Sequence, residues 1–558
     1  MTKDCLIKEM LLKAWEQASG EGKILSRPDP DKVVVEIPKE TVQADFATTV
    51  AMMLAPMEGR PPREIAQTFL HYLQKDPGGI LDQVQLAGPG YINITLKQDQ
   101  WRRVLPEINA QGKRFGRLDI GKGQKVQIEF VSANPTGPLH VGHGRWAAVG
   151  NALANLLEAA GYQVHREYYN NDSGRQVKLL GWSVYARYQQ LLGHAAADPE
   201  DGYRGGYITG IAQRLVDRYG KEFLGRPADE CLGFFTRHSL EEMTGVIRED
   251  LTAFGIAFDD WFSEASLFQS GAVQNALDEL REKDYLYDQD GALWFRSTHF
   301  GDDKDRVVRK EDGEYTYLAS DIAYHRDKLA RGFDLLIDIW GADHHGYTAR
   351  MEAAVQALGY PRTRLRILIG QLVKLVRNGQ PVPMSKRAGE FVTLRDVVGE
   401  VGKDAALFFF LMRRLDSPME FDLELAKRQS NENPVYYVQY AHARLCSVGR
   451  QAEEQGIRPI DPNQVRLDRL AEPEELKLIK RLDFFPRLIE ESAGALEPHR
   501  LTFYLLDLAG LLHNYYYKHR FISADDDLTQ ARLLLVGAVR TVMANALDIL
   551  GVAALERM

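Results

Sequence analysis

The residues best equipped for chemistry are His140 and His143 in His140-Val141-Gly142-His143, six residues after Asn134. With 14 His and 47 Gly in 558 residues, roughly 0.03 matches to H-x-G-H are expected by chance, so the tetrapeptide asks for a physical account. Two imidazoles one turn apart, at a helix start whose free N–H groups and positive dipole end face outward, suit a phosphate. An enzyme promoting attack on the α-phosphate of ATP needs such a group of donors. The plain alternative is a surface helix with two solvated histidines. Four further segments carry suitable groups. Glu167 to Gln176 is rich in aromatic and amide side chains. Tyr317-Leu318-Ala319-Ser320-Asp321 sets a ring and a carboxylate one helical turn apart. Gly341-Ala342-Asp343-His344-His345 joins a glycine, for close backbone approach, to an Asp able to hold ribose hydroxyls. Met384-Ser385-Lys386-Arg387-Ala388-Gly389 offers a hydroxyl and two cations on a loop suited to clamping a polyphosphate.

The elements that position these groups follow from pattern. Lys125 to Pro135 begins with apolar–polar alternation and predicts a strand, broken into a tight loop by Pro135, Gly137 and Pro138. Trp146, Val149, Leu153, Leu156 and Leu157 then recur at helical spacing, with Gly161 as the stop. A strand around Gln163 to Tyr169 completes a βαβ unit, hence a parallel sheet. A second α/β half has strands at Phe333 to Trp340 and Leu365 to Leu372, with a helix from Tyr347 to Leu358. Such sheets bind ligands at the carboxyl ends of their strands, so the two His-bearing loops can face one site. Residues 1–110 predict a compact α/β unit: helices at Leu6 to Ala18 and Pro62 to Leu73, strands at Val33 to Ile37 and Tyr91 to Leu96. A basic linker, Gln111 to Lys125, leads out of it. Residues 185–290 read as an inserted segment of helices and loops, and residues 431–558 as helical.

The chain is long enough for several domains, and its 45% apolar and 26% charged residues are ordinary for a globular protein. Cys5, Cys231 and Cys446 are too far apart for a C-x-x-C pair, so neither a structural zinc nor a disulfide framework is expected, and a reducing cytoplasm fits. The N-terminus has no signal-like apolar stretch and no window approaches an uninterrupted membrane span, so no membrane partner is expected. A net charge of −9 argues against indiscriminate coating of nucleic acid and leaves room for local basic patches such as Lys113 to Arg117, Arg413-Arg414 and Lys427-Arg428.

The pair H-V-G-H and M-S-K-R resembles the signature of class I aminoacyl-tRNA synthetases. S-A-N-P-T-G-P-L-H-V-G-H, E-Y-Y-N-N-D, Y-L-A-S-D, G-A-D-H-H-G-Y and N-P-V-Y-Y-V-Q-Y-A-H-A-R resemble the arginyl-tRNA synthetase family, bacterial type, over essentially the whole chain. The resemblance implies a Rossmann-type parallel-sheet catalytic domain over residues 111–380 with a connective insertion near 185–290. It implies a signature loop and stem over 381–430, an N-terminal α/β tRNA-binding domain over 1–110 and an all-α anticodon-binding domain over 431–558. It implies activation of L-arginine by ATP with Mg²⁺, then transfer to the terminal adenosine of tRNA(Arg), in a cytoplasmic monomer that binds no DNA. Activation in this family commonly requires the cognate tRNA.

By position, the resemblance makes His140, His143 and Lys386 the catalytic groups. Gly142, Gly341, Asp343, His344, Ser385 and Arg387 fall to ATP. Glu129, Asn134, Tyr317 and Asp321 fall to arginine, whose cationic side chain needs carboxylates in bidentate geometry. Tyr91, Asn93, Tyr437, Tyr440, Tyr516 and Met558 fall to tRNA, with Tyr515 in the same region, and at least one of these tyrosines is expected to pack in the helical core. Pro383 stands where the usual signature has its first lysine, and Gly137 occupies the place of the familiar substitute. Lys374, Arg377 or Arg387 could supply the missing cation. Arg350 stands where many members have glutamine. Three alternatives remain at this point: a silent relative that only binds tRNA or arginine, an adenylyltransferase for a small metabolite, and a class I synthetase for another amino acid.

Overall fold

A computed structural model describes residues 3–39, 42–75, 78–382 and 392–558. At its centre is a five-stranded parallel sheet in the order Leu365–Gly370, Leu335–Gly341, Lys125–Glu129, Gln163–Asn170, Asp260–Ser263. The chain starts at the middle strand, builds outward to one edge, then returns to build the other side. The order therefore reverses between Lys125–Glu129 and Leu335–Gly341, and the crevice at their carboxyl ends is where a sheet of this kind binds ligands. Val126, Ile128, Leu336 and Ile337 are fully buried, as expected for strands covered on both faces. The helix Val141–Ala159 crosses one face and comes close enough that a side chain at Gly150 would collide with the Phe130 ring. Gly161, at φ 91°, ends the helix in a conformation that suits glycine.

The predicted strands and helices of both halves fall within a residue or two of those observed, with one correction. Residues 185–290 are not wholly an insertion. The helices Gly174–Leu191, Gly206–Tyr219 and Ala228–Ala253 form a satellite core of Leu180, Tyr188, Ile211 and Phe235. Asp260–Ser263 then returns to become the edge strand of the central sheet. That strand has four residues, all half-buried, so no alternation marks it in the sequence.

The N-terminal unit is a four-stranded antiparallel sheet with helices Lys3–Gly20, Val50–Glu58 and Pro62–Leu73. Its strands Phe46–Thr48 and Leu81–Ala87 are absent from the sequence reading, the first being too short and the second having no fully buried residue. The C-terminal helices Pro434–Glu454, Pro473–Asp483, Phe485–Ala495, His499–Lys518 and Asp526–Leu550 form a bundle. By length and composition Asp526–Leu550 could cross a membrane, which the sequence reading did not anticipate. In the fold it is the bundle's core helix, with Leu535, Val539, Val542 and Ala546 fully buried. The end units also touch each other. Buried Arg102 donates to the Leu470 carbonyl at 3.1 and 2.9 Å, and Lys480 pairs with Asp45.

Candidate active site

Both histidines of the motif act as caps. His140 is the N-cap residue, and its Nδ1 accepts from the backbone N–H of Gly142 at 3.1 Å and of His143 at 3.4 Å. His143 Nδ1 in turn accepts from the His140 N–H at 3.2 Å, and the rings stack at 3.7 Å. A nitrogen that accepts carries no proton, so both rings are set as neutral Nε2–H tautomers. This corrects one expectation. The Gly142 and His143 amides are engaged by an imidazole, so positive character at this helix end is delivered through ring Nε2–H groups. A side chain at Gly142 would displace the capping ring, since its Cβ would lie 2.9 Å from His140 Cε1.

The loop between Glu129 and this helix is strained. Val131 and Ser132 have φ of 70° and 38°, and a β-branched residue there is a genuine outlier. Ser132 Oγ donates to Glu129 Oε1 at 2.9 Å and accepts from the Tyr169 N–H at 3.1 Å, tying the loop to two strands. Thr393 bridges to His140, and the Leu394 N–H donates to the Leu139 carbonyl at 2.7 Å. On the other side of the signature segment, the Val382 N–H donates to the Leu375 carbonyl at 2.9 Å. Pro383, Ser385, Lys386 and Arg387 lie outside the described residues. Of the cations offered as substitutes, Lys374 pairs with Glu420 at 3.6 Å and Arg377 with Glu400 at 2.6 Å. Fully buried Arg145, one turn into the helix, donates to the carbonyls of Gln371, Arg414 and Ser417, which fixes the following stem against the sheet. Burial lowers its pKa to about 10, so it stays charged.

Glu129 and Asp321 come together in one acidic, aromatic pocket. Glu129 is buried at the end of the middle strand and receives Lys328 Nζ at 2.5 Å. Asp321 is half-buried as a residue, with its carboxyl end turned inward to accept from Tyr347 OH at 2.7 Å. Burial raises its pKa to about 6, and the nearby Glu264 and Glu129 add to the effect. Glu264 is buried and is held by Ser173 and Ser320 hydroxyls at 2.7 and 3.1 Å. The Tyr169 hydroxyl is buried among these carboxylates, and burial followed by Glu264 pushes its pKa far up. Glu264, Tyr169 and Tyr347 were missed as pocket residues. For Tyr169 and Tyr347 the signal was present in E-Y-Y-N-N-D and G-A-D-H-H-G-Y, whereas nothing around Glu264 marks it. Tyr317 was expected to pack beside a bound guanidinium. It is 76% exposed at the helix start, and the Tyr347 ring lies beside Asp321. Arg350 lies over the Tyr347 ring at 5.1 Å. Asn134 is exposed and donates to Gln176 Oε1 at 2.8 Å.

The residues expected to hold the nucleotide are open. Gly341 ends its strand under the Trp146 ring, where a Cβ would lie 3.0 Å from Cη2. Asp343 and His344 follow it, 3.5 Å apart, with side chains 80% and 57% exposed.

The tRNA candidates divide three ways. Tyr91 and Asn93 lie on the N-terminal sheet, exposed and half-buried. Tyr437, Tyr440 and Tyr516 come together: the first two pack on His513 at 4.6 and 5.9 Å, and Arg444 lies over Tyr440 at 4.9 Å and Tyr516 at 4.1 Å. The tail before half-exposed Met558 is pinned to the same helix by His442, whose Nδ1 lies 2.8 Å from the Leu555 carbonyl. Tyr515 is the packing tyrosine, fully buried with its hydroxyl on Glu475 at 2.8 Å.

A doubly built parallel sheet, with a capped H-x-G-H helix at its switch point and a helical bundle behind, defines a class I aminoacyl-tRNA synthetase. Residues 105–410 match the family described as tRNA synthetases class I (R), catalytic domain. Residues 6–96 match the arginyl tRNA synthetase N terminal domain and residues 438–558 the DALR anticodon binding domain. The chain is 50% identical over 553 residues to arginine–tRNA ligase of Geobacter sp. (strain M21), covering 99% of each, and 46% identical to that of Bacillus subtilis (strain 168), again with 99% of each covered. A putative arginyl-tRNA synthetase from Campylobacter jejuni superposes with a TM-score of 0.76 at 34% identity, covering 83% of this chain and 100% of that one. Arginyl-tRNA synthetase of Thermus thermophilus has the same fold, with a TM-score of 0.76 at 24% identity and full coverage of both chains. The chain belongs to the arginyl-tRNA synthetase family.

Proposed function

We propose that this protein is an arginine–tRNA ligase that activates L-arginine with ATP and transfers it to the 3′-terminal adenosine of tRNA(Arg). The observation that carries this reading is the pairing of an acidic, aromatic pocket with a neutral histidine pair on the same carboxyl edge of one sheet. Glu129, Asp321 and Glu264 in a pocket walled by Tyr169 and Tyr347 suit a planar cation. The arginine carboxylate is then the nucleophile toward the α-phosphate of ATP, which enters as its Mg²⁺ complex. His140 and His143 direct Nε2–H groups at the oxygens on which charge builds, and being neutral and capped they need no reorganisation to do so. Gly142 allows close approach, and Gly341, Asp343 and His344 hold the nucleoside. Lys386, Ser385 and Arg387 hold the departing phosphates, with a step of positive charge lost at Pro383. Asn134 orients the amino acid head, and Tyr317, exposed before substrate binds, closes over it.

For tRNA, Tyr437, Tyr440 and Tyr516 offer ring faces to unpaired bases, Met558 lines the same face, and Tyr91 with Asn93 contacts the D-loop corner. We place the protein in the cytoplasm as a monomer, consistent with three free cysteines in three separate parts of the chain. ATP–pyrophosphate exchange with each of the twenty amino acids, with and without total tRNA, tests the whole reading. Exchange with arginine alone, and only with tRNA present, is the expected result. Exchange with another amino acid overturns the substrate, and none under any condition leaves a tRNA-binding relative without catalysis.

A further inference from the structure

The register of the central sheet sets four carboxylates side by side. Asp338 pairs with Glu129, Glu129 with Glu167, and Glu167 with Asp260, so the four stand in one transverse row on one face. The helix Tyr317–Ala330 packs on that face and answers with His325, Lys328 and, at its C-cap, Arg331. These residues are three apart and therefore share one side of the helix, at the end where its dipole favours cations.

The matching of charges is uneven. Glu167 is fully satisfied: Arg331 donates to both its oxygens at 2.5 and 2.8 Å and Tyr324 OH to one at 2.5 Å. Asp338 has Lys328 at 2.9 Å and His325 Nε2 at 2.9 Å. Glu129 has Lys328 at 2.5 Å and an uncharged hydroxyl. The buried Lys328 ammonium is thus shared by two buried carboxylates, and His325, with the Asp321 carbonyl 2.8 Å from Nδ1 and Asp338 2.9 Å from Nε2, donates from both ring nitrogens as a second cation beside Asp338. Burial opposes ionisation of both acids. Asp338, with Lys328 and His325 beside it, is nonetheless held below the ordinary range, while burial leaves Glu129 above it.

We propose that Lys328 is a positioning residue for arginine: shared between Glu129 and Asp338, it fixes the rotamer and the charge of Glu129. This rests on the assignment of Glu129 to arginine binding made above. The groups facing Glu129 are Lys328, His325, Tyr324 and Asp321 from the helix, Asp338 from one neighbouring strand, Glu167 and Tyr169 from the other, and Glu264 across the pocket. Lys328 is the cation in contact with it among the described residues.

The test is arginine and ATP KM in pyrophosphate exchange with tRNA present, for Lys328→Met, Lys328→Arg, Lys328→Gln and Glu129→Gln, across neutral to alkaline pH. Lys328→Met is expected to raise arginine KM at least about tenfold at neutral pH, since a carboxylate without its cation stays protonated. The penalty shrinks as pH rises and Glu129 ionises, ATP KM stays within about twofold, and Lys328→Arg recovers most of the loss. A role in stability alone would not give this pH slope. Should Lys328→Met fail to fold, Lys328→Gln carries the test: it keeps a hydrogen-bond donor toward Glu129 without the charge and is expected to raise arginine KM with the same pH slope. Arginine KM unchanged in both variants, with Glu129→Gln raising it, overturns the role of Lys328 and leaves the site assignment standing. Arginine KM unchanged in Glu129→Gln as well overturns that assignment.

Discussion

The two sides of the catalytic crevice are built on opposite plans. On the side we assign to the amino acid, Glu129 and Glu264 are buried, Asp321 turns its carboxyl inward, and each has a hydrogen-bond donor within the fold. On the nucleotide side, Asp343 and His344 stand mostly in water with one weak contact between them. The contrast follows what each side must distinguish. Selecting one cation among similar side chains requires groups whose desolvation is already borne by the fold, so that a wrong ligand leaves them unpaired. A nucleotide brings its own charges and metal, and a site for it can be completed on binding. The histidines belong to the first plan, since their rings are locked by backbone donors.

The largest effect should come from the prepared side. Asp321→Ala removes a charge partner from a low-dielectric pocket, and such losses cost about 3–5 kcal/mol, or roughly three orders of magnitude in kcat/KM for arginine. ATP KM should change by no more than about twofold. Equal changes in both constants would mean that the two sides are one site, and the contrast drawn above would fail.

Next comes His140→Asn, chosen because asparagine is itself a good N-cap. It preserves the helix start and deletes the distal N–H, separating the two jobs of this side chain. We expect kcat to fall about 10²–10³-fold with stability within about 1 kcal/mol, read by exchange kinetics and urea unfolding. A fall in stability with little change in kcat would make the imidazole a structural cap only.

These two predictions divide what was legible in the chain from what was not. The strand, Gly/Pro loop and helix around His140 were readable because alternation, helical spacing and Gly161 all lie within some forty residues of local sequence. Capping by Nδ1, the positive φ of Val131 and the carboxylate row were not. Each depends on where a backbone or a distant strand comes to rest, and the register joining Asp338 to Glu129 spans two hundred residues of chain. Asp260–Ser263 was hidden for a simpler reason, being a short edge strand without alternation. Tyr317 is a different case: spacing placed it one turn before Asp321 on the same helix, but spacing fixes direction and not depth, and its ring is 76% exposed.

A third test uses pH. Asp321 has its pKa raised to about 6, so between its ordinary value and about 6 the folded state binds more protons than the unfolded one. Stability is therefore fully present below the ordinary carboxyl range and is lost as pH rises through about 6, by about 2–3 kcal/mol in the unliganded protein. Binding runs the other way, since only the carboxylate attracts arginine. Arginine KM should fall nearly tenfold per pH unit up to about 6 and then level, while ATP KM stays flat over the same range. In Asp321→Asn both the stability loss and this KM slope disappear. A slope that survives the substitution would assign the titration to another group and remove Asp321 from the prepared set.

The smallest effect is expected on the open side. Asp343 has an 80% exposed side chain, and its contact with His344 at 3.5 Å is worth little in water. Asp343→Ala should therefore leave stability within about 0.5 kcal/mol of the parent. Its loss is felt only when a ribose is present, as one hydrogen bond to a charged acceptor, about 1.5–3 kcal/mol and thus a rise in ATP KM of about ten- to a hundredfold. Arginine KM at saturating ATP should not move. A substantial loss of stability would show that Asp343 is already engaged before the nucleotide arrives, and the open side would then be as prepared as the other. An unchanged ATP KM would take Asp343 off the nucleotide altogether, leaving Gly341 and the signature segment to hold it.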